Sequence, residues 1–304
     1  MEIPQPHTLN FTGVLSTSKT IILTKYTHFV TLSLFFLPLS LSLIINPTLQ
    51  SQTFTNNPSN HQKLLTSYLL YTLTIHFFAL CAIGTITYSA HHAFFGEPVD
   101  ISNALKSLIF SFFPLASTAI AAYVVTLFIS IIYVMLVVAV LMLVHNVGFV
   151  VIDSNSIYFT WFSITVGVVL IAIVVYVHVK WSLAFVVVVV ESKWGFAPLM
   201  RSAYLVKGMR SVSLLVMLYF GVFGGLIVWM CFVSVDSILI TTLASFFLMM
   251  FLLRMTAANT VLYNYCKALH GELVIEVAEG FDYEYMNLPE DDEKVPHVVG
   301  VVAA

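Results

Sequence analysis

Residues 114–144 read PLASTAIAAYVVTLFISIIYVMLVVAVLMLV, a run with no charge anywhere in it. After Pro114 there is no proline or glycine until past Val147, so nothing in the run offers a turn. Two short spans would need such a turn, and one long helix does not. At 1.5 Å per residue that helix rises ~46 Å. The hydrocarbon core is only ~30 Å thick, so the helix must tilt or protrude. This reading fixes the direction of everything downstream.

Five further charge-poor runs flank it: roughly Tyr26–Ile45, Leu64–Tyr88, Tyr158–Val190 (interrupted by Lys180), Val212–Val235, and a run from Ser237 past Arg254. The central run extends over about Leu108–Val144. Each exceeds the ~18–20 residues needed to span. The 304 residues are 60% hydrophobic and 9% charged, and the mean hydropathy is +0.97. That many apolar groups cannot be hidden in a soluble globule of this size, and they exclude a disordered chain. The expected fold is an all-α polytopic membrane bundle of about six transmembrane helices with short cytosolic interfacial helices.

The charges are segregated. From Gly271 onward there are nine acids and one base, Lys294; before it there are eleven bases and six acids. The chain divides into a cytosolic N-terminal segment (1–25), a six-span membrane domain (26–270) and an acidic, disordered cytosolic tail (271–304). With six spans, Lys19, Lys25, Lys106, Lys193, Arg201, Lys207, Arg210, Lys267 and Lys294 fall on one side and only Lys63 on the other. Basic flanks mark the cytosol, so both termini are expected there, in the endomembrane system or the plasma membrane. Lys180 lies ~33 Å along its helix from Tyr158, and Arg254 ~27 Å from Asp236. Both therefore belong at the cytosolic interface, where long side chains snorkel. No secretory signal precedes the first span. The sequon at Asn10-Phe11-Thr12 is silent in a cytosolic N-terminus, and those at Asn46 and Asn57 carry a proline in the middle. Cys81, Cys231 and Cys266 are too few and too scattered for a disulfide framework.

Two loops carry helical patterns. In residues 99–112, apolar positions recur at Ile101, Ala104, Leu105, Leu108, Ile109 and Phe112, one helical face. Asp100 stands at its N-terminal end. This is either a separate interfacial helix or the start of the third span. In residues 191–211, Pro198 suits a first turn and Gly208 a stop. Leu199, Ala203 and Val206 share a face. Lys193, Trp194, Arg201, Lys207 and Arg210 are candidate lipid-headgroup contacts, which makes the bilayer and its anionic lipids the expected partner. Phe95-Gly96-Glu97-Pro98 and Trp194-Gly195-Phe196-Ala197-Pro198 suggest a degenerate repeat of span, short helix and span.

Glu191, Trp194-Gly195, Leu199, Arg201-Ser202, Leu205-Val206-Lys207-Gly208 and Thr260-Val261-Leu262-Tyr263 resemble a pattern in the membrane domain attached to some glycerophosphoryl diester phosphodiesterases. Pro198-Leu199-Met200 departs from the usual Ala-Leu pair there. With Gly13-Val14-Leu15, Pro38-Leu39-Ser40 and the acidic, Tyr-rich tail, nearly the whole chain resembles plant six-span transmembrane proteins of unknown function. The resemblance implies a fold and a membrane. It implies no phosphodiesterase activity, because the catalytic domain of those enzymes has no counterpart in this sequence.

Chemistry is hard to place on these residues. His91-His92 with Glu97 and Asp100 lack ligand spacing, so no metal site is expected. No acid lies deep in a span, as a coupled carrier would need. His76 reads as a polar contact inside the bundle. No nucleophile and base are suitably spaced. The expectation is a protein with no catalytic residue and no cofactor, which is not an enzyme and binds no nucleic acid. It organises membrane or binds partners. The alternative is a channel or facilitator for a small solute, for which Thr66, Thr72, Thr74, Thr85 and Thr87 offer a polar stripe. A continuous polar cavity would favour the alternative, and a solid core the first reading.

Overall fold

A computed structural model of the chain describes residues 10–42, 61–146, 157–233 and 238–272, with side chains over 10–42, 69–142, 161–230 and 242–272. The tail beyond Glu272, the side chain of Cys231, and the loops holding Asn46, Asn57, Asp153 and Asp236 lie outside the described residues. All regular structure among those residues is helical.

Helix α1 is Phe11–Thr24, and α2 begins at Tyr26, runs to Ser33 and continues through a 3-10 turn to Ser42. The long helices are α3 (His61–Phe94), α4 (Ile101–Asn146) and α5 (Ile157–Trp181). Two short ones follow, α6 (Ala184–Glu191) and α7 (Ala197–Leu205). The last two are α8 (Arg210–Val233) and α9 (Ile238–Leu269). Five stretches are long and apolar enough to cross a membrane: Leu69–Phe94, Ile101–Met142, Trp161–Glu191, Arg210–Met230 and Thr242–Leu269. The bent pair α1 and α2 would make a sixth. The protein is an all-α membrane bundle.

The structure adds four details to the sequence reading, and over 101–112 it selects the second of the two alternatives. The segment 1–25 contains a helix, α1, whose face Val14, Ser18, Ile21 and Ile22 is buried while Ser16, Lys19, Thr20 and Thr24 face outward. It meets α2 at 99°, so it straps the bundle instead of extending the first span. Residues 101–112 are the start of α4, continuous with the third span, so no separate interfacial helix forms there. Pro114 is accommodated inside α4. The fourth span is broken between α5 and α6, around Ser182 and Leu183.

Helix α9 is the axis. Over half of its most apolar window is buried, against none of the corresponding window of α4. In lipid the hydrophobic effect does not draw helices together, so close packing and polar contacts must. Small residues provide the packing: Ala82, Ala90, Ala104, Ala257 and Ala258 are fully buried. Gly84 lets α4 approach α3 so closely that a Cβ there would stand 3.1 Å from Leu108 and from Leu115. The outer faces, including Phe110, Phe113, Leu127 and Phe128, are exposed and apolar, as a lipid-facing surface should be. Hydroxyls along the spans mostly bond back to their own helix. Examples are Thr74 to the Leu70 carbonyl, Thr126 to Ala122 and Thr256 to Leu252.

Candidate functional site

One end of the bundle gathers α1, the turn after α3, the 192–196 loop, α7 and the end of α9. Thr17 shares a hydrogen bond with Tyr265 at 2.8 Å, and Lys25 Nζ donates to the Glu97 carbonyl at 3.3 Å. Both connecting turns rest on a left-handed glycine, Gly96 (φ +79°) and Gly195 (φ +69°), the matching positions of the two Gly-Pro segments. The two segments thus share this turn conformation. The repeat fails in its helices, because α4 is a full span and α7 a short segment.

At the tip of α6 the Glu191 carboxylate collects three donors: Lys193 Nζ at 2.7 Å, Arg201 Nε at 3.1 and 3.2 Å, and the Tyr263 hydroxyl at 3.0 Å. Arg201 then reaches outward, donating from Nη1 to Glu272 at 3.1 Å and from Nη2 to the second oxygen. The hydrogen bonds with Glu272 hold the Arg201 guanidinium even further above its ordinary value, and those with Glu191 add to them, against the opposing pull of burial. The Lys267 ammonium lies 5.5 Å from the Tyr263 ring, and Arg201 lies over Tyr204. Glu191, Arg201 and Tyr263 all belong to the pattern quoted above, and here they meet. A guanidinium forked between two carboxylates is a structural clasp, joining α6, α7 and the end of α9.

Ser202, the next residue in that pattern, closes the break in the fourth span. Its hydroxyl donates to the Lys180 carbonyl at 2.8 Å and accepts from the Leu183 amide at 3.1 Å. Ser182 bonds Ser213 at 2.8 Å, which ties the break to the start of α8. The backbone groups freed by the break are therefore met by side chains of the loop that follows, as a low-dielectric setting requires.

The candidate headgroup residues separate into two sets. Lys193 and Arg201 are engaged in the clasp. Trp194 (68% exposed), Lys207 and Arg210 face outward. Lys180 is half-buried beside the break, its ammonium 4.4 Å from the Tyr176 ring, level with α7 and the first turn of α8. Arg254 lies at the middle of α9, with helix continuing to Leu269 beyond it. His91 and His92 diverge: His91 bonds Asn264 at 3.1 Å and His92 pairs with Glu97. His76 bonds the Thr72 carbonyl at 2.8 Å and Tyr123 at 3.1 Å, linking α3 to α4. Because a carbonyl only accepts, Nδ1 of His76 carries the proton and Nε2 takes one from Tyr123.

Between α3, α4, α8, α9 and the break lies a cavity of about 420 Å³. Its walls are mostly apolar, with Phe185, Val216, Met217 and Phe220 prominent, and its polar groups include Thr87, Ser213 and Asn259. Residues 48–295 match the family described as a domain of unknown function, DUF8558. The chain belongs to that family. The matched region contains α3 to α9, hence the clasp, the break and the cavity, and leaves α1 and α2 ahead of it. No curated protein and no solved structure matches this sequence.

Glu272 and Asn259 carry no signal in the sequence; Ser202 stands there only within the quoted pattern and Thr87 only within the threonine stripe. Ser202 and Glu272 have partners 22 and 71 residues away, and no local spacing points to them.

Proposed function

We propose that this DUF8558 protein is a non-enzymatic, six-span scaffold of the endomembrane system or plasma membrane that organises lipid and binds partners, with both termini cytosolic. The observation that carries this reading is the limited height of the cavity. It touches α3 over 83–87, α4 over 119–126, α8 over 213–221 and α9 over 255–259. The longest of these rises only about 12 Å, well short of a path across ~30 Å. The described threonines of α3 form no continuous lining either: Thr74 is exposed, Thr85 is buried in a bond to the Cys81 carbonyl, and among them Thr87 alone lines the cavity.

The direction of the helices supports six crossings. Helix α2 starts beside Glu97, and its His28 bonds Ser89 at 3.1 Å, so it leaves the same end at which α9 arrives. Lys19, Lys25, Lys106, Lys193, Lys207, Arg210 and Lys267 lie toward that end, and such a bias favours the cytosol. The outward Trp194, Lys207 and Arg210 suit an anionic headgroup layer.

The test is reconstitution in liposomes with and without anionic lipid. A spin label at Met200, which is 75% exposed, should be less mobile with anionic lipid, and Lys207→Gln with Arg210→Gln should abolish the difference. Equal mobility of the parent protein in both lipids would remove the lipid contact. Glycerol or urea permeation rising in proportion to reconstituted protein would replace the scaffold with a facilitator.

A further inference from the structure

The geometry points to the cavity as a binding site for a neutral lipid bearing a single hydroxyl on a compact ring system, the sterol class. Three observations converge on it. First, Thr87 lines the cavity, is fully buried, and its Oγ1 has no hydrogen-bond partner. Thr74, Thr85, Thr126 and Thr256 bond carbonyls of their own helices, and Thr87 does not. A buried hydroxyl held unpaired in an apolar wall is unfavourable until something bonds it.

Second, none of the described residues lining the cavity is Asp, Glu, Lys or Arg. A phosphate or carboxylate headgroup would enter with no cation to receive it. A hydroxyl has a partner in Thr87, with the Asn259 side chain lining the same space.

Third, the cavity opens on the flank of the bundle. Tyr123 (61% exposed), Met255 (39% exposed) and His178 surround its outer side, and all three lie on spans. The approach is therefore from lipid. The space is about 12 Å tall and bounded by residues of seven helices, α3 to α9, so it is short and compact. That shape admits fused rings better than an extended acyl chain, and it leaves a tail free to pass out between α4 and α9. Its volume of about 420 Å³ is in the range of small-molecule sites.

The test uses the full-length protein in nanodiscs and a photoactivatable cholesterol analogue. Labelling should saturate, map to 83–87, 213–221 and 255–259, and be competed by cholesterol but not by oleic acid or dioleoylphosphatidylglycerol. Gly221 lines the cavity, and a Cβ there would meet nothing within 4 Å. Gly221→Leu should therefore fill the space and reduce labelling at least tenfold. Thr87→Val removes only the hydroxyl. It should weaken binding about fivefold to tenfold, while the unfolding temperature of the lipid-free protein stays level or rises. A merely structural hydroxyl would give the opposite change in stability. If Gly221→Leu does not fold, Thr87→Val decides alone. Adducts spread over the outer faces around Phe110 and Phe113, equal competition by oleic acid, or parental labelling of Thr87→Val would each overturn the proposal.

Discussion

Ser202 and Arg201 are neighbours in sequence with separate duties. Ser202 satisfies one carbonyl and one amide at a break enclosed by protein. Ser202→Ala leaves both unmet, and a loss of about 2 kcal/mol is expected. Ser213→Ala should cost less, because Ser182 keeps its own 3.0 Å bond to the Val179 carbonyl. Thermal unfolding in detergent gives the order, and an equal effect would mean that Ser202 does not hold the break. Arg201→Gln strips both carboxylates of their shared cation. A fully buried pair would lose 3–5 kcal/mol; this one lies at the rim, so about 2 kcal/mol is expected. Arg201→Lys should fail to restore it, since an ammonium cannot fork between Glu191 and Glu272. Full recovery with lysine would show that charge alone matters.

Among the helices, the α3–α4 pair depends on what Gly84 lacks. Gly84→Leu must displace Leu108 and Leu115 together, and a loss of about 1–3 kcal/mol follows from overpacking. Gly84→Ala should cost clearly less, and equal melting of the two variants would refute the close-contact account. At this scale much of the fold was legible. A run with no breaker from Leu115 to Val147 announces one helix, and the structure carries it from Ile101 to Asn146. The packed helix α1 was missed because Ser16, Thr17, Lys19 and Thr20 dilute its apolar side below any span threshold, although Val14, Ser18, Ile21 and Ile22 keep helical spacing. The break between α5 and α6 has no glycine or proline to announce it, because a serine from a later loop holds it open. The site was legible only in part: Glu191 and Arg201 lie ten residues apart. Tyr263 and Glu272 join them only through the path of α9.

For the molecule as a whole, the expected outcome is an even number of crossings. Tags at Met1 and Ala304 should both become accessible when the plasma membrane alone is permeabilised, and a single protected tag would contradict the six-span arrangement. Asn10 is exposed at the start of α1 and opens a sequon. No glycosidase-sensitive mobility shift should appear, and one that vanishes in Asn10→Gln would invert the orientation.

The broken span also has a history in time. A ribosome delivers α5 and α6 before it delivers Ser202, which bonds a carbonyl 22 residues behind it. Until then the run Ala184–Val189, whose valines favour extended structure, has no later loop to secure its first turn. Glu191 waits longer, for a hydroxyl 72 residues downstream, and Thr17 waits for Tyr265 across 248 residues. Insertion of the spans and closure of the clasp are therefore separate events. A chain truncated before α9 would sit in the membrane with its helices threaded and its polar end unsealed, a natural substrate for chaperones and quality-control proteases.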